Sequence, residues 1–188
     1  GNIAYIDYGN GTLTVSERAD TIDYYHPDIS PDGRFVAYCT GMEGVSGASD
    51  VYIRPITGSK TKPIKLKIKG NAAIPRWRVL ENGDTVLVYV SDAGNNKDNS
   101  AFKAKSTWLV TYRQGRFGKP QTLFDGSYHG GISADNALAV TGARLLRARV
   151  SNKGETLANG RDTVWYNGEQ ACNVSLANDG TKRGAFLD

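Results

Sequence analysis

The chain has 188 residues, of which 39% are hydrophobic and 22% charged, and its formal net charge at pH 7 is +4. This length suits a single domain, and the composition excludes a disordered or fibrous protein. No run of 18 apolar residues occurs, so we expect no membrane span. The 22 glycines and 10 tyrosines, against 1 methionine, favour strands and turns over helices.

Two strand patterns open the chain. Residues 2–9 resemble the later segment 50–58, and residues 12–16 follow an Asn10-Gly11 turn and fit an outer strand. Because no first strand precedes them, we expect these residues to complete a sheet whose inner strands lie elsewhere in the chain.

A repeated pattern begins at residue 25. Residues 25–38 read YHPDISPDGRFVAY, and the pattern returns as IPRWRVLENGDTVLVY at 74–89, as YHGGISADNALAV at 128–140 and more weakly as CNVSLANDG at 172–180. The turn positions 33, 83, 136 and 180 are 50, 53 and 44 residues apart. A period near 50 that consists of short strands is typical of a propeller blade.

Each copy predicts a hairpin that is followed by further strands. Gly33, Gly83 and Gly180 each follow Asp or Asn and supply the positive φ that a tight turn needs. After the hairpins, strands are predicted at 51–53 and 64–68, at 108–110 and 122–124, and at 145–150 and 163–166. A four-stranded sheet cannot bury both faces by itself, so we expect the sheets to pack face to face around an axis.

The predicted fold is therefore all-β, a β-propeller of four-stranded blades that forms one domain over residues 1–188. Its repeat units are about residues 26–70, 71–125 and 126–168, and a composite blade combines 171–188 with 2–16. About four blades follow. Pairing of the two termini would close a four-bladed ring, and the alternative is a fragment of a larger propeller that has further domains.

The first copy resembles the TolB-type WD-like β-propeller repeat. In that family, P-x-x-SPDG-x-x-[IV]-A-[FY] is followed by a [DN]-[IL]-Y strand, and residues 27–38 and 50–58 have this pattern. The other copies depart from it, because Val79 stands in place of the proline, Asn136 in place of the glycine, and the last copy keeps only 178–180. The resemblance implies a bacterial periplasmic or extracellular setting.

Five residues near the predicted channel are candidates for ligand binding. His26 and His129, the only histidines, hold equivalent repeat positions just before a first strand, which lines the channel of a propeller. Asp28 lies two residues after His26, and Arg76 beside Trp77 suits an anionic or stacked group. Two imidazoles and a carboxylate also suit a divalent metal, whereas the alternative is that each imidazole caps a loop of its own blade. We expect no cofactor and assign no metal ligand.

Motifs of catalysis are absent from the sequence. It has no G-x-S-x-G elbow, no H-E-x-x-H and no phosphate-binding loop, and we assign no catalytic residue. We predict a non-catalytic binding or scaffold module that recognises a protein or carbohydrate at its loop face or channel mouth. One alternative is a propeller-based polysaccharide lyase or hydrolase that uses His26, His129 and Arg76. The other is a purely structural domain of a larger envelope protein.

Four other features have two readings each. The lysines of residues 60–69 alternate with apolar residues and indicate a solvated outer strand or a phosphate-binding patch. The arginines of 144–149 fit a solvent-facing stripe or an anion site, and the polar residues 92–100 fit a flexible loop or a calcium loop. Cys39 and Cys172 are either two free thiols or one disulfide. We expect no nucleic-acid partner, because the net charge is small.

Overall fold

The protein is described by a computed structural model that covers residues 1–18, 20–41, 48–57, 61–177 and 179–187. Gly58, Lys60 and Asn178, which belong to the sequence patterns above, lie outside the described residues. The chain is 49% strand and 6% helix, so the prediction of an all-β protein is confirmed. None of the helices in the described ranges is long and apolar enough to span a membrane.

Sixteen strands of the described residues form four antiparallel sheets. The N-terminal hairpin consists of β1 (Ile3–Asp7) and β2 (Thr12–Glu17). Sheet 1 contains β3 (Tyr25–Ile29), β4 (Phe35–Cys39), β5 (Val51–Pro55) and β6 (Ile64–Lys65). Sheet 2 contains β7 (Ala73–Val79), β8 (Thr85–Val90), β9 (Ser106–Arg113), β10 (Arg116–Phe117) and β11 (Gln121–Asp125). Sheet 3 contains β12 (Gly131–Ile132), β13 (Leu138–Val150), β14 (Arg161–Val164), β15 (Gln170–Leu176) and β16 (Gly184–Leu187).

Sheets 1 and 2 have the strands that the repeat predicts, and sheet 2 also has the short β10, which pairs with β9 as β11 does. Sheet 2 includes the short helix α1 (Asn99–Lys103) before β9, and sheet 3 includes 3-10 turns at Leu157–Asn159 and Tyr166–Gly168. The predicted strand at 64–68 is shorter than expected, because β6 ends at Lys65.

Sheet 3 differs from the prediction. The separate strand expected at 145–150 is wrong, because β13 runs unbroken through Val150 and pairs with β12 at its start, β15 in its middle and β14 at its end. Only four residues separate Val140 from Leu145, which leaves no room for the loop that joins the corresponding strands of sheets 1 and 2. Between the described residues no strand pair joins β1 or β2 to β15 or β16, so ring closure stays a prediction.

The sheets pack against one another in chain order. In β8, Leu87 and Tyr89 face sheet 1 while Val88 faces sheet 3, as the two-residue period of a strand requires. One apolar cluster joins sheets 1 and 2 through Ala37, Cys39, Val51, Ile53, Leu66, Trp77, Leu87, Tyr89, Val110 and Tyr112. A second cluster joins sheets 2 and 3 through Val88, Phe102, Phe124, Tyr128, Ile132, Ala139 and Leu157. Each fully buried aliphatic side chain contributes about 1.5–3 kcal/mol to such an interface.

The N-terminal hairpin covers the remaining face of sheet 1. Ile3 packs with Val36 and Tyr38, which alternate along β4 with the residues that face sheet 2. The Tyr38 hydroxyl donates to the Glu17 carboxylate at 3.2 Å, and the buried Arg54 guanidinium forms an ion pair with it at 2.6 Å. A polar contact therefore accompanies the apolar one at this interface.

Two buried arginines of β13 join sheet 3 to its neighbours. Arg147 donates from Nε to the carbonyl of Asn96 at 2.8 Å, forms an ion pair with Asp162 at 2.5 Å and stacks on Phe102. Arg149 binds the carbonyl of Leu157 and the Asp125 carboxylate. Both arginines are buried, so the predicted solvent-facing stripe is wrong for them, because internal acceptors satisfy their charge.

The polar segment 92–100 is held to sheet 3, contrary to the expected flexible loop. Asn96 is only 1% exposed and binds both backbone groups of Leu145 through its amide. The carboxylate of Asp98 caps α1 by accepting from Ala101 N at 2.9 Å. Cys39 and Cys172 are free thiols, which decides between the two readings of the cysteine pair.

Candidate functional site

The first strands of the repeat converge on a small cavity. It has a volume of about 80 Å³ and is lined by Asp28, Arg76, Trp77, Gly130, Gly131, Ser175 and Leu176. These residues come from β3, β7, the start of β12, and β15, the segments that carry the four copies of the sequence pattern. The repeat therefore brings equivalent positions of all four copies to one place.

A bulge in the first strands aims these side chains. The pairing register shifts between Tyr25 and Asp28 in β3 and at the same repeat position in β7 and β15. In each case the residue after the break in pairing has a left-handed backbone, with φ of 52° at His26, 46° at Ile74 and 50° at Asn173. A bulge re-aims the side chains beside it, which explains why the next repeat position faces the cavity.

A wider cavity of about 390 Å³ adjoins the small one. Its lining contains Asp28, Ile29, Pro31, Trp77, Arg78, Val79 and Ala134, so that Asp28 and Trp77 line both cavities. These residues lie where the first strands end and the chain turns back. Ile29 is 51% exposed and Val79 is 48% exposed, which gives the opening an apolar rim. We call the two cavities together the funnel.

Asp28 is the only carboxylate among the described residues that line the funnel. Its Oδ2 accepts a hydrogen bond from the backbone N–H of Trp77 at 2.6 Å, which links β3 to β7. Burial raises the pKa of the Asp28 carboxyl, although the Trp77 N–H and the Arg76 guanidinium act in the opposite direction. A carboxyl that is both partly desolvated and held in place is suited to accept hydrogen bonds from a ligand.

The arginines of β7 face sheet 3. Arg76 donates from Nε to the carbonyl of His129 at 3.4 Å, and Arg78 donates from Nη2 to the carbonyl of Ser133 at 2.8 Å. Burial lowers the pKa of Arg78, which lies almost entirely inside the protein. Arg76 is less buried and lines the small cavity, whereas Arg78 lines the wider one, so two guanidinium groups give the funnel its positive charge.

The histidines lie behind the funnel and do not line it. Burial and, to a smaller extent, the charge of Arg76 lower the pKa of His26 to about 4 and that of His129 to about 3. Both imidazoles are therefore neutral at pH 7. His129 is 3% exposed. In the described part of the chain, no three His, Cys, Asp or Glu side chains come together to hold a metal ion.

Of the five predicted site residues, Asp28, Arg76 and Trp77 meet in the funnel, whereas His26 and His129 do not reach it. The sequence reasoning missed Ser175 and the glycines of β12. Their signal was present in the repeat, because Gly131 and Ser175 hold the same position as Asp28 and Arg76.

The glycines of sheet 3 allow β12 and β15 to approach closely. A Cβ on Gly130 would lie 2.9 Å from the carbonyl oxygens of both Val140 and Val174, and Gly131 has a φ of 118°. Glycine at these positions keeps one wall of the small cavity free of side chains.

Comparison with known proteins gives no family for this chain, since no protein-family model and no curated protein matches it. The resemblance to the TolB-type repeat stays a prediction that depends on residues 27–38 and 50–58. Function is therefore argued from the geometry of the funnel.

Proposed function

We propose that this chain is a non-catalytic β-propeller module that binds a protein or carbohydrate ligand in the funnel. The observation that carries the proposal is that an acidic residue, a basic residue and an aromatic residue line connected cavities. They are Asp28, Arg76 and Trp77. A pocket of about 300–1,000 Å³ with an apolar lining and a few placed polar groups is the usual form of a ligand site.

The packing of the sheets supports the propeller. Sheets 1, 2 and 3 follow one another face to face, and their first strands meet at a cavity of about 80 Å³, as blades around an axis would. The TolB-type pattern of the first copy agrees with this arrangement. By the same resemblance we propose a periplasmic or extracellular location, with a closed ring of about four blades as the form of the domain.

The ligand chemistry follows from the two levels of the funnel. Its rim offers the apolar surfaces of Ile29, Val79 and Pro31, and its depth offers the Asp28 carboxylate and the Arg76 guanidinium. The wider cavity has room for one or two sugar rings or for the side chains of a short peptide. A hydroxyl or peptide group of such a ligand is able to donate a hydrogen bond to the Asp28 carboxylate and to accept one from the Arg76 guanidinium.

A lyase or hydrolase remains the alternative function, but the histidines give it less support. A general base must reach the proton that it removes, and His129 is buried while Arg76 contacts its backbone carbonyl. Neutral imidazoles outside the cavity wall serve more readily as packing groups of their own sheets.

Arrays of glycans and peptides test the proposed binding. We expect wild-type protein to bind a subset of one array, and we expect Asp28→Asn to bind the same ligands roughly tenfold or more weakly, because a hydrogen bond to a charged group is worth about 1.5–3 kcal/mol. The matched control is Glu81→Gln, which removes an exposed charge outside the lining and should bind like wild type. Equal binding by Asp28→Asn and wild type would refute the funnel as the site.

The same ligands separate binding from catalysis. Each ligand is incubated with the protein and analysed by mass spectrometry for cleavage. Intact ligand is expected. Cleavage that disappears in His26→Ala or His129→Ala would establish the enzymatic alternative instead.

Hydrogen exchange tests the proposed ring. If the two termini pair, the backbone amides on the otherwise unpaired edges of β1 and β16 should be protected from exchange as strongly as those of a central strand such as β4. Rapid exchange along the free edges of both β1 and β16 would reject a closed ring.

A further inference from the structure

A further cavity lies between the segment after β6 and sheet 2, where β8, β9 and the segment before β11 contribute to its wall. It has a volume of about 360 Å³, and its lining includes Lys67, Lys69, Tyr89, Trp108 and Lys119. We call it the lateral groove. It shares no lining residue with the funnel, so its chemistry is independent of the function proposed above.

The lateral groove carries positive charge without an internal partner. Lys67, Lys69 and Lys119 are exposed, and none forms an ion pair with a described residue, whereas Lys65 just before them binds Asp50 at 2.6 Å. Among the residues that the structure describes, no acidic one belongs to the lining. Three like charges around one concavity attract anions, because no carboxylate within the groove neutralises their field.

The position of these lysines also differs from the sequence expectation. An outer strand through residue 68 would point Lys65, Lys67 and Lys69 into solvent on one face of a sheet. Because β6 ends at Lys65, the two later lysines belong to the connection toward β7 and share a cavity with Tyr89 of β8 and Trp108 of β9. They are thereby brought to Lys119, which is 50 residues or more away in sequence.

An aromatic ring forms part of the lateral groove wall. Trp108 of β9 is partly exposed and stacks on the buried Tyr89 of β8, with ring centroids 6.4 Å apart and an interplanar angle of 11°. This contact fixes the plane of the indole before any ligand arrives. A fixed aromatic face beside cationic groups suits a ring-shaped ligand that carries negative charge.

We propose that the lateral groove binds an acidic saccharide, whose sugar ring stacks on Trp108 and whose carboxylate or sulfate groups pair with Lys67, Lys69 and Lys119. The cavity accommodates one or two sugar rings. A nucleic acid fits less well, because such binding depends on a long track of phosphate contacts, and the lining has three lysines and no arginine. A neutral saccharide would leave the three ammonium groups without a partner.

Calorimetric titration at low salt tests the proposal. The probes are a hexamer of galacturonic acid, a heparin-derived sulfated hexasaccharide, a neutral glucose hexamer and a single-stranded DNA hexamer. We expect saturable binding of at least one acidic saccharide, and the two acidic probes distinguish carboxylate from sulfate recognition. Failure of both to bind, equal binding of the neutral hexamer, or tighter binding of DNA would each overturn the proposal.

Charge reversal then locates the site. In the double variant Lys67→Glu with Lys119→Glu, affinity for the acidic saccharide should fall roughly tenfold or more, because two attractions become repulsions. The matched control reverses Lys103 and Lys153, two exposed lysines outside the groove, and should stay within about twofold of wild type at the same net charge.

Stability and the funnel ligand complete the test. Both lysine variants change exposed side chains, so urea unfolding should match wild type. If the groove variant and the control variant lose the same affinity for the acidic saccharide, the loss reflects net charge alone, and the lateral groove is refuted as the binding site. Because neither variant touches the funnel, binding of a funnel ligand is expected to persist in both, which keeps failure of one proposal distinct from failure of the other.

Discussion

Replacement of Asn96 by alanine should lower the free energy of unfolding by about 2–3 kcal/mol. The Asn96 amide donates to the Leu145 carbonyl at 2.7 Å and accepts from the Leu145 N–H at 2.8 Å, and the side chain is 1% exposed. Each neutral hydrogen bond is worth about 1 kcal/mol, and the two backbone groups left unpaired at Leu145 add a desolvation cost. The bond from Arg147 to the Asn96 carbonyl survives, because it uses the backbone.

Urea unfolding followed by tryptophan fluorescence measures this loss. The control is the neighbouring Asn95→Ala. Asn95 is exposed, and its side chain accepts only from the Lys97 N–H at 2.9 Å, so a loss of about 0.5 kcal/mol or less is expected. Equal losses in the two variants, or a loss below about 1 kcal/mol for Asn96→Ala, would show that the segment before α1 does not stabilise sheet 3 in this way.

Three further predictions concern buried polar groups. Arg147→Met should lose about 3–5 kcal/mol in urea because it leaves Asp162 buried without its cation, whereas Arg144→Met, at an exposed position, should lose about 0.5 kcal/mol or less; similar losses would contradict the ion pair. His129 has a pKa of about 3 in the folded protein and near 6.5 in the unfolded chain, so its contribution to stability is complete above pH 6.5 and declines as the pH falls toward 3. In His129→Gln, the melting temperature should therefore depend less on pH between pH 7 and pH 4.5. A pH dependence equal to that of wild type would refute this. Burial raises the pKa of the Cys39 thiol, which should react with a thiol reagent only after unfolding; rapid reaction of the native protein at this residue would contradict its burial.

The strands of sheets 1 and 2 were predictable because their signals are local. A Gly33 or Gly83 turn between two alternating runs specifies a hairpin without knowledge of the rest of the chain. Sheet 3 was not, because the third copy keeps the turn at Asn136 but has only four residues where the other copies have a loop, and these residues continue the strand. A comparison of loop lengths between copies, in place of strand patterns alone, would have indicated the continuous β13.

The candidate site was predictable only in part, for a related reason. Asp28 was selected because it follows His26 by two residues, and Arg76 because it is next to Trp77, and both line the funnel. Repeat equivalence selected His26 and His129, which do not line it, because the period of a repeat does not reveal which way a side chain points after a bulge. The lateral groove had no local signal, since Trp108 and Lys119 lie far along the chain from the lysines of the β6–β7 connection. Such a site depends on how two sheets pack.

The two cavities differ in how they are able to recognise a ligand. The funnel lining combines one carboxylate, that of Asp28, with the guanidinium groups of Arg76 and Arg78, and the neighbouring imidazoles are neutral. Because both charge signs are present, we expect the selectivity of that site to depend on shape and on the direction of hydrogen bonds. The lateral groove has charge of one sign and one fixed aromatic face, so its selectivity depends on the charge of the ligand. Salt screens the second kind of recognition far more than the first, because the lysines are exposed whereas Asp28 is largely withdrawn from water. If both proposals hold, attraction of an acidic saccharide to the lateral groove weakens with salt, whereas binding in the funnel depends mainly on fit.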